Sequence, residues 1–495
     1  MSMADAPDVL KSETLHQHLT ELVGFLDSSL HAGTALHKIE LGLWQRLLQL
    51  GHDCLGQFFA AAGSGDLGET ITLPNGTESQ RLAELHQRRY VSIFGIFELQ
   101  RVVYGSREGQ QFDFVPLDNR LQLPASAFSY VLQDWDQNLC VEEAFGQARS
   151  VVVKILGLQQ SVDSLERMNQ AMAEQAPTFL LNRPQPATEG EIRVTSADGK
   201  GVVMRRTADA PAPKAHRTKG DKASPKRMAT VGTVYSVDRY VRTPEQVVAA
   251  LFRDGPQRHD RPRPQHKHVW ASLAVDEKPG SGMEQVFLWL VGEVVQRNPT
   301  LAKPMVYISD GQETLWEMRA EYLPERNTDI LDLLHVTPRL WQAAHVLQRE
   351  GSAEAEALVR QLVLRVLQGK AAGVLRSLRR LGRQQRLTTA KKKTLAKACA
   401  YLRKNLPRMR YDEYLAAGYP IASGMIEGAC RHLVKDRMER AGMHWTVAGA
   451  QAMINVRSVY VSDSWDEYQA YRIERELTSL YPDRKLVEAF YGLAA

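Results

Sequence analysis

Lys303–Asp310, KPMVYISD, is a short continuous apolar run closed by an acid, with Gly311 next. A strand buried on both faces of a sheet reads this way, because both of its surfaces meet packed neighbours. Upstream, Glu284–Arg297 is an amphipathic helix; downstream, Glu313–Glu321 has helical spacing and Asp329–Val336, DILDLLHV, reads as another short strand. Alternation of strand and helix predicts a mixed α/β sheet with right-handed crossovers. Further out, Glu191–Asp198, EIRVTSAD, alternates apolar and polar residues and runs into Gly199, which reads as a strand entering a turn. Met228–Tyr240 and His268–Asp276 add two more strands, separated by a helix at Pro244–Arg253 and a Pro/His/Arg-rich loop. His259, His266 and His268 lie in or beside that loop. They lack helical spacing and a cysteine partner, so a nucleic-acid-facing loop suits them better than zinc.

Asp198 and Asp310 are thus expected at strand ends. A third acid comes from Tyr419–Trp445, YPIASGMIEGACRHLVKDRMERAGMHW. Turn residues open this stretch, Ser423 or Gly424 suits the N-cap, and a helix is predicted to about Arg440. Glu427 falls in the first turn, where the helix dipole favours a carboxylate, and Arg431 and Lys435 follow at four-residue steps. Alone this would be a salt-bridged surface helix. Beside two strand-end acids it completes an oxygen-rich donor set of the kind that suits two Mg²⁺ or Mn²⁺ ions in phosphodiester chemistry. Lys200, Arg431, His432, Lys435 and Arg437 are then candidates to orient a scissile phosphate. Trp445 suits either base stacking or a core position, and Cys430 suits packing.

Charge is distributed unevenly. Net charge is only +5, yet Ala357–Tyr411 contains no Asp or Glu. The same helical stretch carries Arg376, Arg379, Arg380, Arg383, Arg386, Lys391, Lys392, Lys393, Lys397, Arg403, Lys404, Arg408 and Arg410. So long a cationic run repels itself unless a polyanion neutralises it, which points to phosphate contact. Arg205–Arg227 is a second basic stretch without periodicity.

The N-terminal part reads differently. Leu15, Leu19, Leu22, Leu26 and Leu30, then Ile39, Leu43, Leu47 and Leu50, recur at helical spacing and suit a core or an oligomer face. Arg88–Tyr104 is rich in β-branched and aromatic residues and suggests two short strands. Glu142–Ile155, Gly157 and Ser161–Glu174 have the spacing of a helix-turn-helix, which nominates Ser164, Arg167 and Asn169 as DNA contacts. Ala176–Gly190, with three prolines, reads as a linker. The four cysteines form no CxxC pair, which argues against zinc ribbons and disulfide frameworks. The start has no secretory pattern, and the longest apolar run, Val286–Val295, is too short to span a bilayer. No Walker-type loop is present, so ATP is not implied.

SADGKGV, KRMATVGTVYSVD, YISDGQETLW, DLLHV and the long Tyr419–Trp445 motif resemble, in that order, motifs of bacterial insertion-sequence DDE transposases of the ISKra group. The likeness is close over roughly 190–460 and looser before it. It implies an RNase H-like mixed sheet as catalytic core, an all-helical insertion before the last acid, and a mostly helical N-terminal DNA-binding region. By motif, Asp198, Asp310 and Glu427 match the catalytic and metal-binding acids. Asp332 and His335 match a supporting D-x-x-H signature, with Asp332 holding the strand edge. The implied organisation is a helical region 1–85, strands plus helix-turn-helix 86–178, linker 179–190, core 191–337, basic insertion 338–411, final core helices 412–460 and a C-terminal segment 461–495. The implied partners are DNA ends and target DNA, with no membrane, two Mg²⁺ or Mn²⁺ ions, a homo-oligomer on DNA and a bacterial, nucleoid-associated cytoplasmic location. A catalytically inactive, transposase-derived DNA-binding regulator is the alternative.

Overall fold

The computed structural model describes residues 13–105, 112–184, 186–206, 226–255, 261–274, 281–440 and 442–491. They divide into two compact units, residues 1–168 with 466–495 and residues 169–465.

The first unit opens with α1 (Glu13–His31) and α2 (Leu36–Ala62). Helix ends there, and β1 (Thr70–Thr72) and β2 (Glu78–Arg81) follow, so the helical reading of 1–85 is corrected over 70–81. The Gly-rich break before β1 lets the chain reverse, and the apolar residues after it, Ile71 and Leu73, are buried at strand rather than helix spacing. β3 (His86–Ser92) and β4 (Gly95–Arg101) are the two expected strands, paired as a hairpin, and β5 (Tyr104–Gly105) pairs with β2. Helices α3 (Pro116–Leu121), α4 (Tyr130–Glu142), α5 (Phe145–Leu156) and α6 (Val162–Ala173) follow. Gly157 caps α5 with φ 71°, the left-handed conformation that commonly ends a helix. Cys140, Ala148 and Leu165 are the core beneath it.

α7 (Ala176–Leu181) replaces the first part of the expected linker; Phe179 and Leu180 bury against its neighbours in the second unit. β6 (Ile192–Val203), β7 (Lys226–Val237), α8 (Pro244–Leu251), β8 (Gln265–Leu273), α9 (Ser281–Arg297), β9 (Met305–Ser309), α10 (Glu313–Tyr322) and β10 (Thr328–Leu331) build the sheet and its cover. The strand order is β10-β9-β6-β7-β8. β6, β7 and β8 are antiparallel, whereas β9 runs parallel to β6 and β10 parallel to β9. β9 is buried along its whole length, as its apolar run requires. α9 packs on β7 at Gly232, where a Cβ would come within 2.7 Å of Val286. The basic stretch Arg205–Arg227 lies outside the described residues over 207–225, and His259 also falls outside them.

The helical segment comprises α11 (Leu333–Leu347), α12 (Ala353–Leu367), α13 (Ala371–Gln384) and α14 (Thr389–Asn405). Its apolar faces meet one another, α11 against α12 and α14, and α13 against α14, so the cations are left outward. α15 (Tyr411–Ala416), α16 (Gly424–Ala429), a π-helical turn Cys430–Lys435, α17 (Asp436–Met438) and α18 (Val447–Val461) return the chain to the sheet. α18 covers the open edge of β8: Leu273 N donates to the Gln451 side chain at 2.9 Å, and Gln451 donates to Ala271 O at 3.1 Å. An edge so occupied cannot template further strands. α19 (Trp465–Leu480) and α20 (Arg484–Tyr491) rejoin the first unit, where Val487 enters the core of Ile71, Val102 and Tyr104. Among the described residues, no helix is long and apolar enough to cross a membrane.

Candidate active site

The acids meet because of strand register. Ser196 pairs with Ile308, and Leu331 with Ser309. Two residues further along β6 and β9 stand Asp198 and Asp310, on the same face; one step beyond the β9–β10 pair stand Asp310 and Asp332. Neighbouring strands are about 4.8 Å apart, so the three acids stand at adjacent backbone positions where the parallel ladder stops. That level is where open α/β sheets bind ligands.

Two local expectations change. Asp198 does not close a strand: β6 continues through Gly199, Lys200 and Gly201 to Val203, paired with β7 throughout. The Asp-Gly pair is ladder, not turn. Gly311 follows Asp310 in the turn into α10, where Gln312 N donates to Asp310 Oδ1. A Cβ there would lie 2.3 Å from the Tyr401 ring, so α14 needs a glycine to approach Asp310. DILDLLHV is strand only to Leu331; Asp332 is the N-cap of α11 and His335 sits in its first turn. An Asp before a run of good helix formers satisfies free helix N–H groups, and this outweighs the apolar pattern.

Asp332 is fully buried. Its Oδ1 accepts from Leu334 N at 2.8 Å, and its Oδ2 accepts from Ser423 Oγ at 2.5 Å and faces His335 Nδ1 at 3.2 Å. Ser423 is therefore the N-cap of α16 by position but spends its hydroxyl on Asp332. With Leu333 N donating to Ile421 O at 3.0 Å, this bond ties the loop before α16 to the end of β10. Glu427, exposed on α16, is thereby brought in: single donor atoms of Asp332, His335 and Glu427 lie within 4.8 Å of one another. That converging group includes Glu427 but neither Asp198 nor Asp310.

The helix carrying Glu427 widens into its π turn one residue after Ala429. Carbonyls released by the wider register need donors. Arg457 of α18, itself buried, supplies them: its Nε lies 3.1 Å from both His432 O and Leu433 O. The turn presses Cys430 against the sheet, where its thiol donates to Asp198 Oδ2 at 3.7 Å. Gly199 N donates to Asp198 Oδ1 at 2.7 Å.

Electrostatics mark the spot. Burial pushes the Asp198 carboxyl above its usual range and the neighbouring Asp310 adds to this, while Gly199 N–H, His335 and Cys430 oppose. His335 is raised, first by its bond to Asp332, with Asp310 and Glu427 contributing. Burial and then the Asp310 charge push Tyr401 of α14 up to about 12. Tyr401 and Arg457 are site-building residues that sequence reasoning missed, marked at most by an aromatic ring within a strongly basic helix; Ser423 was named only as an N-cap, and its bond to Asp332 was not foreseen.

The candidate phosphate contacts divide. Arg431, His432 and Lys435 are exposed on the π turn, with Arg431 3.5 Å and His432 3.0 Å from Asp436. Lys200 is half-buried and 3.7 Å from Glu439. Arg437 is a correction: it is 1% exposed, with its guanidinium over the Trp445 ring at 5.1 Å, so it stabilises the core. Trp445 is likewise a core residue, bonded by its backbone N to Val203 O at 3.0 Å. Arg379, Arg380, Arg383, Lys391, Lys392 and Lys393 are all exposed, and among the described residues no carboxylate lies within 4.0 Å of them. A cleft of about 320 Å³ between α13 and α14 is lined by Arg379, Arg383, Lys392 and Arg403. In α6, Ser164 bonds Ser161 and Arg167 pairs with Asp163 at 3.0 Å on the surface. Asn169 is buried, which removes it as a DNA contact. His268 is half of a buried pair with Glu293 at 2.7 Å, so it faces the core and not a nucleic acid.

No family model matches the chain, and no curated protein matches it. Among solved structures it is similar to the Drosophila P element transposase strand transfer complex, at 12% identity and a TM-score of 0.23, over 78% of this chain and 88% of that one.

Proposed function

We propose that this protein is a DNA transposase with an RNase H-like core, which cleaves DNA at element ends and joins the freed 3′ hydroxyl to target DNA. The observation that carries the reading is the register that sets Asp198 and Asp310 side by side at the end of the parallel ladder, with Glu427 brought to the same edge by α16. Three antiparallel strands continued by two parallel ones support the fold assignment.

Asp198, Asp310 and Glu427 would hold the divalent ions. The donor chemistry fits: carboxylate oxygens suit Mg²⁺ or Mn²⁺, and Asp198 is raised by burial first and by the Asp310 charge second, both of which a bound cation would oppose. Bound ions would supply Lewis acidity to the attacking and departing oxygens of a phosphodiester. The chain's own residues position the rest. Asp332 fixes His335 and, through Ser423, the start of α16. Arg431, Lys435 and Lys200 flank the edge as cations, and α13 and α14 offer a broad cationic surface for the DNA backbone. Handling two element ends implies more than one copy on DNA.

The test incubates the purified protein with Mg²⁺ and DNA bearing the inverted repeats that flank its gene. Strand-transfer products support the reading. Cleavage without joining would make the protein a nuclease, and binding without cleavage a DNA-binding regulator. A second expectation concerns α14. Replacing Lys391, Lys392 and Lys393 with Ala should weaken DNA binding and reduce the slope of log affinity against log salt by up to about 3, measured by anisotropy across a salt series.

A further inference from the structure

We infer that His335 is itself a cation ligand, so that this edge of the sheet carries a nitrogen-containing site selective for Mn²⁺ over Mg²⁺. The inference rests on the divalent-ion reading above, but not on strand transfer.

Three features lead there. The first is convergence: donor atoms of Asp332, His335 and Glu427 lie within 4.8 Å of one another. A small contraction brings the imidazole and the Glu427 carboxylate to the separation of two ligands around one ion whose bonds are about 2.0–2.2 Å long. The second is orientation. His335 Nδ1 faces Asp332 Oδ2 at 3.2 Å. Asp332 is fully buried and anchored by Leu334 N and Ser423 Oγ, so it is a rigid acceptor. A carboxylate that accepts the Nδ1–H hydrogen bond leaves the Nε2 lone pair free and fixes the ring plane, which is the arrangement that orients metal-bound histidines. Asp332 is then the positioning residue, and Nε2 with the Glu427 carboxylate makes the contact. The third is access: His335 is half-exposed and Glu427 exposed, so an ion can enter without opening the core. A buried acid serving only to cap α11 would need no imidazole on its second oxygen.

Imidazole shifts selectivity. Mg²⁺ takes oxygen ligands and holds its water tightly, whereas Mn²⁺ accepts nitrogen more readily. His335→Gln keeps a polar side chain of similar size at a partly exposed position. It should raise the Kd for Mn²⁺ by at least about 10-fold and change that for Mg²⁺ less.

The deciding experiment is pulsed electron paramagnetic resonance of Mn²⁺ added to the full chain without DNA. A directly coordinated ¹⁴N modulation is expected in the wild type and should vanish in His335→Gln. Glu427→Gln, exposed and safe for folding, should weaken Mn²⁺ binding while the residual bound ion keeps its nitrogen signal. Bound Mn²⁺ without ¹⁴N modulation, or a modulation that survives in His335→Gln, overturns the inference while leaving the carboxylate reading standing. No bound Mn²⁺ at all overturns both. Because binding is read without DNA, loss of strand transfer alone bears only on the proposed function.

Discussion

Asp310→Asn is expected to lower metal-dependent DNA cleavage by about 10³-fold or more, because metal Lewis acidity is worth several kcal/mol and each 1.36 kcal/mol is tenfold in rate. The substitution is nearly isosteric. Gln312 N donates to Asp310 Oδ1 at 2.8 Å, and the Asn carbonyl can accept that bond, so the turn into α10 survives. The Trp316 indole bonds the Asp310 backbone oxygen at 2.7 Å and is untouched. What is lost is one negative charge beside Asp198. Since Asp310 helps raise the Asp198 carboxyl, its removal lets Asp198 ionise at lower pH. The variant should therefore keep its circular dichroism and its DNA affinity while cleavage collapses. Undiminished cleavage would remove Asp310 from the site. Loss of folding would make it a structural residue.

Much of the second unit was legible because its strands are written in apolar runs that only a doubly covered sheet can bury. KPMVYISD is the clearest, and the acid after it lies at the ladder's end. The pairing that unites Asp198 with Asp310 was not legible, since parallel register depends on where two strands start, and that is set by packing far from the acids. Asp-Gly misled at Asp198: a glycine after an acid signals a turn, yet Gly199 serves a continuing strand. Asp332 was read within a strand because Ile330, Leu331, Leu333, Leu334 and Val336 crowd one short run, and only tertiary structure shows that its carboxylate caps a helix. The π turn after α16 left no trace in helical periodicity, because its stabiliser, Arg457, lies on another helix. The basic run was readable as a surface because apolar residues such as Val374, Leu378, Leu395 and Leu402 keep helical spacing between the cations and are buried.

Glu293→Gln is expected to cost about 3–5 kcal/mol of stability in the second unit, the usual penalty for leaving buried charge unpaired. Glu293 is 2% exposed on α9 behind the sheet. It faces His268 Nδ1 at 2.7 Å, Arg297 at 3.4 Å and Arg183 at 3.6 Å. Glu189 is the other carboxylate of the cluster and pairs with Arg193 and Arg297. Removing one of two acids among three buried guanidiniums leaves positive charge with nowhere to hydrate. The same cluster sets a pH dependence. Burial pushes His268 down to about 4, against the pull of Glu293. Burial would raise Glu293, but the bond from His268 and the charges of Arg183 and Arg297 outweigh it and hold the carboxyl low. Both groups therefore bind protons more weakly folded than unfolded. Their stabilisation is full above the unfolded histidine value of about 6.5 and is lost as pH falls towards 4, by about 3 kcal/mol for His268. Urea denaturation at stepped pH should show this loss between pH 6.5 and 4 in the wild type, and His268→Gln should flatten it. A flat wild-type profile would mean that His268 protonates equally well folded and unfolded, and the cluster would then be hydrated rather than closed.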